Sequence, residues 1–160
     1  GGIWMNIRPM EEKDIAQVRE LVNHCRPLDL HTAFTYWILA NYFNNTCLVM
    51  EDKCEIVGYT GGMKSSAKEG VFYLWQIGIL PEYRGKGFFG LLLEKVMEAA
   101  KKSGCKILQF SVLPDNWQSL GAFSSFSKKK GIPMIKTGSI EFYDSLENEE
   151  FEEDIYEIPL

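Results

Sequence analysis

Ten residues, Pro81-Glu82-Tyr83-Arg84-Gly85-Lys86-Gly87-Phe88-Phe89-Gly90, carry most of the information about the architecture of this chain. They connect a β-rich run, Val71–Leu80, to the most regular amphipathic helix pattern in the sequence, Phe88–Lys102. Gly85 and Gly87 permit a tight turn in which successive backbone amides point into one concavity. The pattern therefore predicts a strand, a glycine-rich turn and a helix in direct succession.

The predicted turn has the properties of an anion site. It lies at a helix N-terminus, where free amides and the helix dipole favour negative charge, and Arg84 and Lys86 add positive charge. A pyrophosphate fits these properties. The glycine spacing differs from that of the P-loop, GxxxxGK[ST], and of the dinucleotide motif, GxGxxG. The alternative is an ordinary corner that needs glycine only for its dihedral angles.

Hydrophobic periodicity on either side of this turn predicts further elements. Helices are predicted at Glu11–His24, through the aromatic segment that follows Pro27-Leu28-Asp29 up to about Phe43, and at Asn116–Lys130. Strands are predicted at Met5–Arg8, Thr46–Glu51, Ile56–Gly62, Lys106–Val112, Ile135–Phe142 and Glu152–Ile158. The order β-α-α-β-β-β-α-β-α-β-β predicts one mixed α/β domain over residues 1–160. Residues 1–4 precede Met5 and are interpreted as left by cloning, although Ile3 could extend the first strand.

Composition restricts the classes of function. The net charge of −5 argues against a nucleic-acid-binding protein held by phosphate contacts. Residues 137–160 hold nine acidic residues and no Lys or Arg, so the rest of the chain is net positive. Four cysteines without a CxxC pair, and only two histidines, argue against a metal site and favour reduced thiols in a cytoplasmic protein. No apolar run has the length of about 18 residues that a membrane span needs.

The strand, proline, Arg-Gly-x-Gly and helix resemble motif A of the GCN5-related N-acetyltransferases (GNAT), written [RQ]-x-x-G-x-[GA]. Arg84 and Gly87 match this motif, whereas Phe89 stands at the last position and Gly90 follows one residue late. The resemblance implies the GNAT fold, a V-splayed mixed sheet with helices on both faces. It also implies acetyl-CoA as cosubstrate, without a metal, and suggests a homodimer.

The same resemblance implies a set of coenzyme contacts. Backbone amides from Arg84 to Phe89 would hold the pyrophosphate, and Ile77–Ile79 would diverge from the neighbouring strand to bind the pantetheine arm. Asn116 and Ser119 would position the coenzyme, with helix capping as their alternative role. The implied coenzyme-binding residues are Ile77, Gly78, Ile79, Arg84, Gly85, Lys86, Gly87, Phe88, Phe89, Asn116 and Ser119.

Segments outside the turn are similar to the L-2,4-diaminobutyrate acetyltransferases, the ectoine-pathway branch of this superfamily. They are Pro27-Leu28-Asp29, Phe43 with Thr46-Cys47, Ile56-Val57-Gly58-Tyr59, Trp75-Gln76-Ile77, and Pro114-Asp115-Asn116 followed by Ser119 and Phe123. This similarity implies that the acceptor is the γ-amine of diaminobutyrate. His31 stands where that branch tends to have Asn, and Phe34 where it tends to have Tyr.

An amine acceptor is protonated at neutral pH. Removing the proton from an ammonium group with a pKa of about 10 costs about 4 to 5 kcal/mol at that pH. The site therefore needs acidic residues and a route for the proton. Asp29 is the leading candidate to bind the ammonium group, with the N-cap of the next helix as its alternative role. Strand alternation allows one of the catalytic candidates, Glu152 and Glu153, to point inward.

Other residues complete the candidate acceptor site. Trp75 would form a wall, with core packing as its alternative, and Gln76 would hydrogen-bond the acceptor. His31 and Phe34 are further candidate substrate contacts, with a plain surface position as the alternative for His31. Superfamily members often have a tyrosine acid at the position of Phe123, so a phenol acid is absent there.

The predicted reaction is direct attack of a small-molecule amine on acetyl-CoA in a ternary complex. Covalent catalysis by Cys25 or Cys105 lacks a recognisable base in the sequence. Two alternatives stay open. The chain either acetylates another small amine or amino acid, or it is an acyl-CoA-binding module without turnover, for which Phe89 and Phe123 are the hints.

Overall fold

A computed structural model describes residues 5–160 of the protein. Its strands and helices follow one another in the predicted order. The strands are β1 (Asn6–Pro9), β2 (Cys47–Asp52), β3 (Glu55–Lys64), β4 (Val71–Ile79), β5 (Ile107–Val112), β6 (Ile135–Asp144) and β7 (Glu149–Pro159). The α-helices are α1 (Ile15–Asn23), α2 (Ala33–Tyr42), α3 (Phe88–Lys102) and α4 (Trp117–Lys130). Short 3-10 turns cover Glu12–Asp14, Asn44–Thr46 and Pro81–Tyr83. The extension of β1 to Ile3 lies outside the described residues.

The main differences from the predicted boundaries are in the first helix and the last two strands. The first helix is α-helical only from Ile15, because a 3-10 turn closed by Asp14 comes before it. The last two strands are longer than predicted and pair up to Asp144 and Glu149. Ladder hydrogen bonds between main chains do not depend on apolar side chains, so the acidic ends of this hairpin gave no apolar strand signal.

The strands form one sheet in the order β1-β2-β3-β4-β5-β7-β6, in which only the β4–β5 pair is parallel. The β4–β5 pairing runs from Val71 opposite Ile107 to Leu74 opposite Phe110 and ends there. Since β4 continues to Ile79, its second half lies beside a gap instead of a strand. The predicted V-splayed mixed sheet is confirmed.

Two apolar clusters lie on opposite faces of this sheet. One packs α3 and α4 against the strands and includes the buried residues Phe72, Leu74, Leu92, Val96, Leu108, Phe110, Phe123 and Phe126. The other packs α1 and α2 and includes Val18, Leu21, Tyr36, Leu39, Val49 and Tyr59. Helices on both faces therefore fix the sheet, and the gap between β4 and β5 opens between these layers. Among the described helices, none has the length and apolar composition needed to cross a membrane.

A charged network ties β1 to the start of the first helix. The two terminal nitrogens of Arg8 each donate to one carboxylate oxygen of Asp14 at 2.8 Å, and Arg8 Nε donates to Glu51 at 3.1 Å. The backbone amide of Glu11 also donates to Asp14 at 2.8 Å. Burial alone would raise the pKa of Asp14. Hydrogen bonding by Arg8 and by this amide together lower it by more, so the net pKa lies below the usual 3.8. The folded state therefore favours the ionised carboxylate.

Asp14→Asn is expected to lower the free energy of unfolding by about 2 to 3 kcal/mol at neutral pH, measured by urea denaturation. The reason is that the Arg8 guanidinium loses a partner that is only 3% exposed. Lys13→Ala is the control, because the 70% exposed Lys13 side chain pairs only with Glu11 at 3.5 Å, and a change of less than about 0.5 kcal/mol is expected.

The difference between wild type and Asp14→Asn is expected to be complete above pH 3.8 and to shrink as the pH falls through the lower folded pKa. Equal stability of the two proteins at neutral pH would contradict the structural role of this ion pair.

Candidate active site

The turn between β4 and α3 has the backbone geometry of an anion site. Gly85 and Gly87 adopt left-handed φ values of 76° and 84°, which other residues rarely adopt. The helical hydrogen bonds of α3 start with the Leu91 amide, which donates to the Gly87 carbonyl at 3.2 Å, so the amides before Leu91 have no intrahelical acceptor. A Cβ atom placed on either glycine would meet no atom within 4 Å. The space beside these amides is therefore open to a ligand.

The two basic side chains of the turn have different positions. Arg84 folds back on β4 and its Nε donates to the Ile79 carbonyl at 3.0 Å, which fixes the turn against the strand. Cys25 Sγ, on the other side of the strand end, lies 3.4 Å from the same carbonyl. Lys86 is exposed, with its ammonium 5.8 Å from the centre of the Tyr83 ring. Arg84 thus shapes the turn, and Lys86 contributes charge at the surface.

A cavity of about 360 Å³ and another of about 260 Å³ meet at the gap between β4 and β5. We call the smaller one the turn cavity; its lining includes Ile77, Gly78, Ile79, Arg84, Gly85, Gly87, Phe88, Phe89 and Ser119. These nine predicted coenzyme residues are brought together by the fold, whereas Lys86 and Asn116 do not line this cavity. Pro27, Leu28, Ile77 and Ser119 line both cavities, so the two adjoin at the gap.

Asn116 has a structural role at the start of α4. Its Oδ1 accepts from the Ser119 amide at 3.2 Å, and its Nδ2 donates to Ser119 Oγ at 3.0 Å. The alternative of helix capping is therefore confirmed for Asn116. Both residues also line the larger cavity, so the cap places polar atoms where the two cavities meet.

The larger cavity, which we call the acidic cavity, is lined by several negatively charged side chains. Its lining includes four carboxylates, from Asp29, Glu150, Glu152 and Glu153. Among the described residues that line it, His31 is the one with a basic side chain, and none is Lys or Arg. This charge distribution favours a cationic ligand. The two cavities thus attract opposite charges.

Asp29 lies on the wall of the acidic cavity and does not cap α2. The cap is Thr32, whose Oγ1 accepts from the Thr35 amide at 3.4 Å, so the capping alternative for Asp29 is wrong. The physical reason is that α2 starts only at Ala33, four residues after Asp29. The carboxylate of Asp29 is therefore not committed to the helix.

Gln76 holds the loop that carries Asp29. Its Nε2 donates to the Asp29 carbonyl at 2.8 Å, and its Oε1 accepts from the hydroxyl of the buried Tyr36 at 3.2 Å. Gln76 is itself only 4% exposed. Its predicted hydrogen bond to an acceptor molecule stays a prediction, and what the structure shows is that both of its amide atoms bind protein groups.

Trp75 occupies a β-bulge in β4. The neighbouring residues Leu74 and Gln76 pair with consecutive residues of β3, which leaves Trp75 as the extra residue. Its ring lines the acidic cavity, with its centroid 4.7 Å from that of His31. The predicted aromatic wall of the cavity is thus in place, and His31 extends it.

Phe34 is the predicted substrate residue that the fold keeps away from the site. It is 66% exposed, stacks on Trp37 with ring centroids 5.6 Å apart, and lines neither of the two cavities. Phe34 is the second residue of α2 and projects from its outer face. The sequence pattern could not separate this face from the one that carries Tyr36.

Of the two catalytic candidates, Glu153 is the more enclosed. Glu152 is exposed, whereas Glu153 is half-buried in the lining of the acidic cavity. Burial raises the pKa of Glu153, hydrogen bonding by the Ser111 hydroxyl lowers it, and the negative charge of Asp29 raises it; the net pKa lies above the usual 4.5. Glu153 is therefore a better proton acceptor than an exposed glutamate.

Sequence reasoning missed two polar residues beside Glu153. The hydroxyls of Tyr73 and Ser111 lie 2.6 Å apart, and both residues line the acidic cavity. Tyr73 shares a strand face with Trp75, two residues further on, and this alternation was the available signal. The contact with Ser111 depends on the β4–β5 register, which the sequence pattern does not reveal.

An aromatic cluster closes the site on the side of α4. Phe123 is 2% exposed, stacks on Phe110 with ring centroids 3.8 Å apart, and meets the edge of Phe89 at 5.1 Å. These rings supply no hydroxyl, so position 123 contributes packing where a tyrosine would offer a proton. Among residues 5–160, no group of three or more His, Cys, Asp or Glu side chains is arranged to hold a metal ion.

Comparison with known proteins identifies this architecture. Residues 15–126 match the family described as "Acetyltransferase (GNAT) family". L-2,4-diaminobutyric acid acetyltransferase from Halomonas elongata is 32% identical over 129 residues, which are 80% of this chain and 67% of the relative. The protein of that name from Vibrio cholerae is 26% identical over 161 residues, 98% of this chain and 90% of the relative.

Similarity to a solved structure extends over nearly the whole chain. The diaminobutyrate acetyltransferase EctA from Paenibacillus lautus, in complex with L-2,4-diaminobutyric acid and coenzyme A, superposes with a TM-score of 0.82 at 26% identity. The alignment covers 99% of this chain and 96% of that protein. The family match, the relatives and the splayed sheet with its glycine-rich turn agree, and the chain belongs to the acetyltransferase (GNAT) family, as its sequence predicted.

Proposed function

We propose that this chain transfers the acetyl group of acetyl-CoA to the γ-amine of L-2,4-diaminobutyrate, the ectoine-pathway reaction. The observation that carries this proposal is the junction of an anion-binding turn cavity with a cavity lined by four carboxylates and no Lys or Arg. Diaminobutyrate brings two ammonium groups and one carboxylate at neutral pH, so it is a net cation. The relatives named diaminobutyrate acetyltransferase support this choice of acceptor.

The turn cavity fits the phosphate end of coenzyme A. The open space beside Gly85 and Gly87, together with the free amides at the start of α3, provides hydrogen-bond donors for a pyrophosphate. From Gln76 to Ile79, β4 pairs with β3 but has no β5 partner, so main-chain groups on the open side can bind an extended amide-containing arm. Acetyl-CoA supplies the thioester that makes the acetyl group transferable.

The acidic cavity selects and orients the amine. The negative charge of Asp29 raises the pKa of Glu153, and an ammonium group between the two carboxylates relieves that repulsion. The indole of Trp75 offers an aromatic face to a cation at the same place. Binding is therefore expected to require a positively charged acceptor.

Glu153 is the residue placed to take the proton that the ammonium must lose. The neutral amine then attacks the thioester directly in a ternary complex, because the two cavities join through the gap in the sheet. The attacking nitrogen loses two protons in all, one before attack and one when the amide forms. The second proton neutralises the departing thiolate, so no phenol is needed at position 123.

The direct test is thiol release from acetyl-CoA with a panel of amines. Diaminobutyrate is expected to exceed ornithine, lysine and simple diamines in kcat/KM by about tenfold or more. A preference for another diamine would overturn the substrate and keep the enzyme class. Tight coenzyme binding without turnover of any amine would instead indicate an acyl-CoA-binding module.

Gly87→Ala is expected to raise the Kd of coenzyme A by about tenfold, about 1.4 kcal/mol, in isothermal titration calorimetry. A side chain at a φ of 84° forces the turn to rearrange and misaligns its amides. Gly131→Ala is the matched control, because Gly131 has a φ of 65° with the same open surroundings, at the far end of α4. Equal coenzyme affinities in the two variants would contradict the assignment of the turn.

Asp29→Asn is expected to lower kcat/KM for diaminobutyrate by about tenfold to a hundredfold and to leave the Kd of coenzyme A unchanged. The substitution preserves shape and removes the charge that pairs with the ammonium group. Glu69→Gln, which removes one charge from the exposed β3–β4 loop, is the control for the effect of overall charge. Unchanged acceptor kinetics in Asp29→Asn would transfer the binding role to the acidic residues of β7.

Glu153→Gln is expected to lower kcat by about a hundredfold or more in steady-state assays, because the group that accepts the ammonium proton is removed. Glu152→Gln removes the same charge one residue earlier from an exposed position and is expected to change kcat by less than about threefold. The opposite ranking of the two variants would show that Glu153 is not the proton acceptor.

A further inference from the structure

Three polar side chains lie on one face of the neighbouring strands β4, β5 and β7 beside the gap. Tyr73 Oη and Ser111 Oγ lie 2.6 Å apart. Ser111 is paired with Ile155 in the β5–β7 ladder, so Glu153, two residues before Ile155, is its diagonal neighbour on the same face. The sheet itself therefore brings a phenol, a hydroxyl and a carboxylate into one row.

The order of donors in this row has one consistent solution. An ionised Glu153 accepts hydrogen bonds and donates none, so a Ser111 hydroxyl that reaches its diagonal neighbour is the donor of that contact. The Ser111 oxygen is then free to accept, and the Tyr73 hydroxyl donates to it across the 2.6 Å contact. Both hydroxyls are thus directed toward the carboxylate, one directly and one through its neighbour.

Resting on the proposed function, we propose that Tyr73 and Ser111 are positioning residues that keep the Glu153 carboxylate ionised and directed at the acceptor amine. Glu153 needs such support because its surroundings disfavour a negative charge. It is half-buried, and the negative charge of Asp29 adds repulsion; Glu150 and Glu152 also line the acidic cavity. Without the hydroxyl of Ser111, more of Glu153 would be protonated and unable to accept a proton from the amine.

Few positive groups on the surrounding elements compensate for this repulsion. Lys136 on β6 pairs with Asp154 at 3.2 Å, and Asp154 follows Glu153 on the opposite face of β7. His31, from the segment before α2, lines the same cavity and contacts Trp75. Tyr73 is neutral at the pH of the reaction, because burial raises its pKa above the usual 10. A hydrogen bond from Ser111 is therefore the contact in this row that would favour the charged form of the Glu153 carboxylate.

The first test does not depend on catalysis. The titration of the Glu153 side-chain carboxyl is followed by NMR in protein labelled with carbon-13 glutamate, with Glu153→Gln used to assign the signal. The midpoint is expected to move to higher pH in Ser111→Ala and, by a smaller amount, in Tyr73→Phe. Ser111→Thr keeps the hydroxyl and is expected to restore the wild-type midpoint. An unchanged midpoint in Ser111→Ala would overturn the proposal.

A neighbouring pair on the same sheet face provides the matched control. Gln109 Nε2 donates to a carboxylate oxygen of Glu157 at 3.0 Å, and the two residues form a directly opposite β5–β7 pair, one row further from the gap. Neither residue lines the two cavities. Gln109→Ala is expected to leave the Glu153 midpoint unchanged, and Tyr143→Phe, in the exposed β6–β7 hairpin, serves as the control for loss of a tyrosine hydroxyl.

The second test is the pH profile of kcat/KM for diaminobutyrate. In Ser111→Ala the acidic limb is expected to move to higher pH, with a loss of about threefold or more near pH 6 and less than about twofold near pH 8.5. An equal loss at both pH values would show a merely structural role and overturn the proposal. Absence of turnover in the wild type would refute the proposed function, whereas the NMR titration would still decide the role of Ser111.

Discussion

The divergence of β4 and β5 after Leu74 and Phe110 is the constraint on which the site depends. Parallel strands normally continue to pair, and unpaired main-chain groups inside a protein are costly. Here the second half of β4 keeps its hydrogen bonds to β3 and exposes its other edge to the gap. The helices on both faces of the sheet hold the two strand ends apart. An extended ligand can thus take the place of a strand without any rearrangement of the fold.

The gap also separates two electrostatic environments. On one side, left-handed glycines and the start of α3 direct backbone amides at an anion. On the other side, the acidic β7 and the loop carrying Asp29 collect carboxylates. A single chain of net charge −5 therefore offers one cavity suited to a polyanion and an adjoining cavity suited to a cation, because charge is distributed by local structure. This separation prevents the two ligands from competing for one site.

The sequence predicted the parts of the molecule that depend on local patterns. The order of the elements, the turn at Gly85 and Gly87, and the family followed from periodicity, glycine spacing and resemblance. Contacts made across the sheet were not accessible in this way. Gln76 binds the main chain of Asp29, and Tyr73 meets Ser111, because of strand register and the bulge at Trp75. Phe34 was misplaced for a related reason, since an aromatic helix such as α2 has no polar face to indicate its orientation.

Both substrates are expected to occupy their cavities together, and the amine is expected to attack the thioester directly. Initial velocities measured while acetyl-CoA and diaminobutyrate are varied against each other test this claim. Double-reciprocal plots that intersect would show a ternary complex. This result is expected because two adjoining cavities can hold both substrates at the same time. Parallel lines would show that the acetyl group is first transferred to the protein, and would contradict direct attack of the amine on acetyl-CoA.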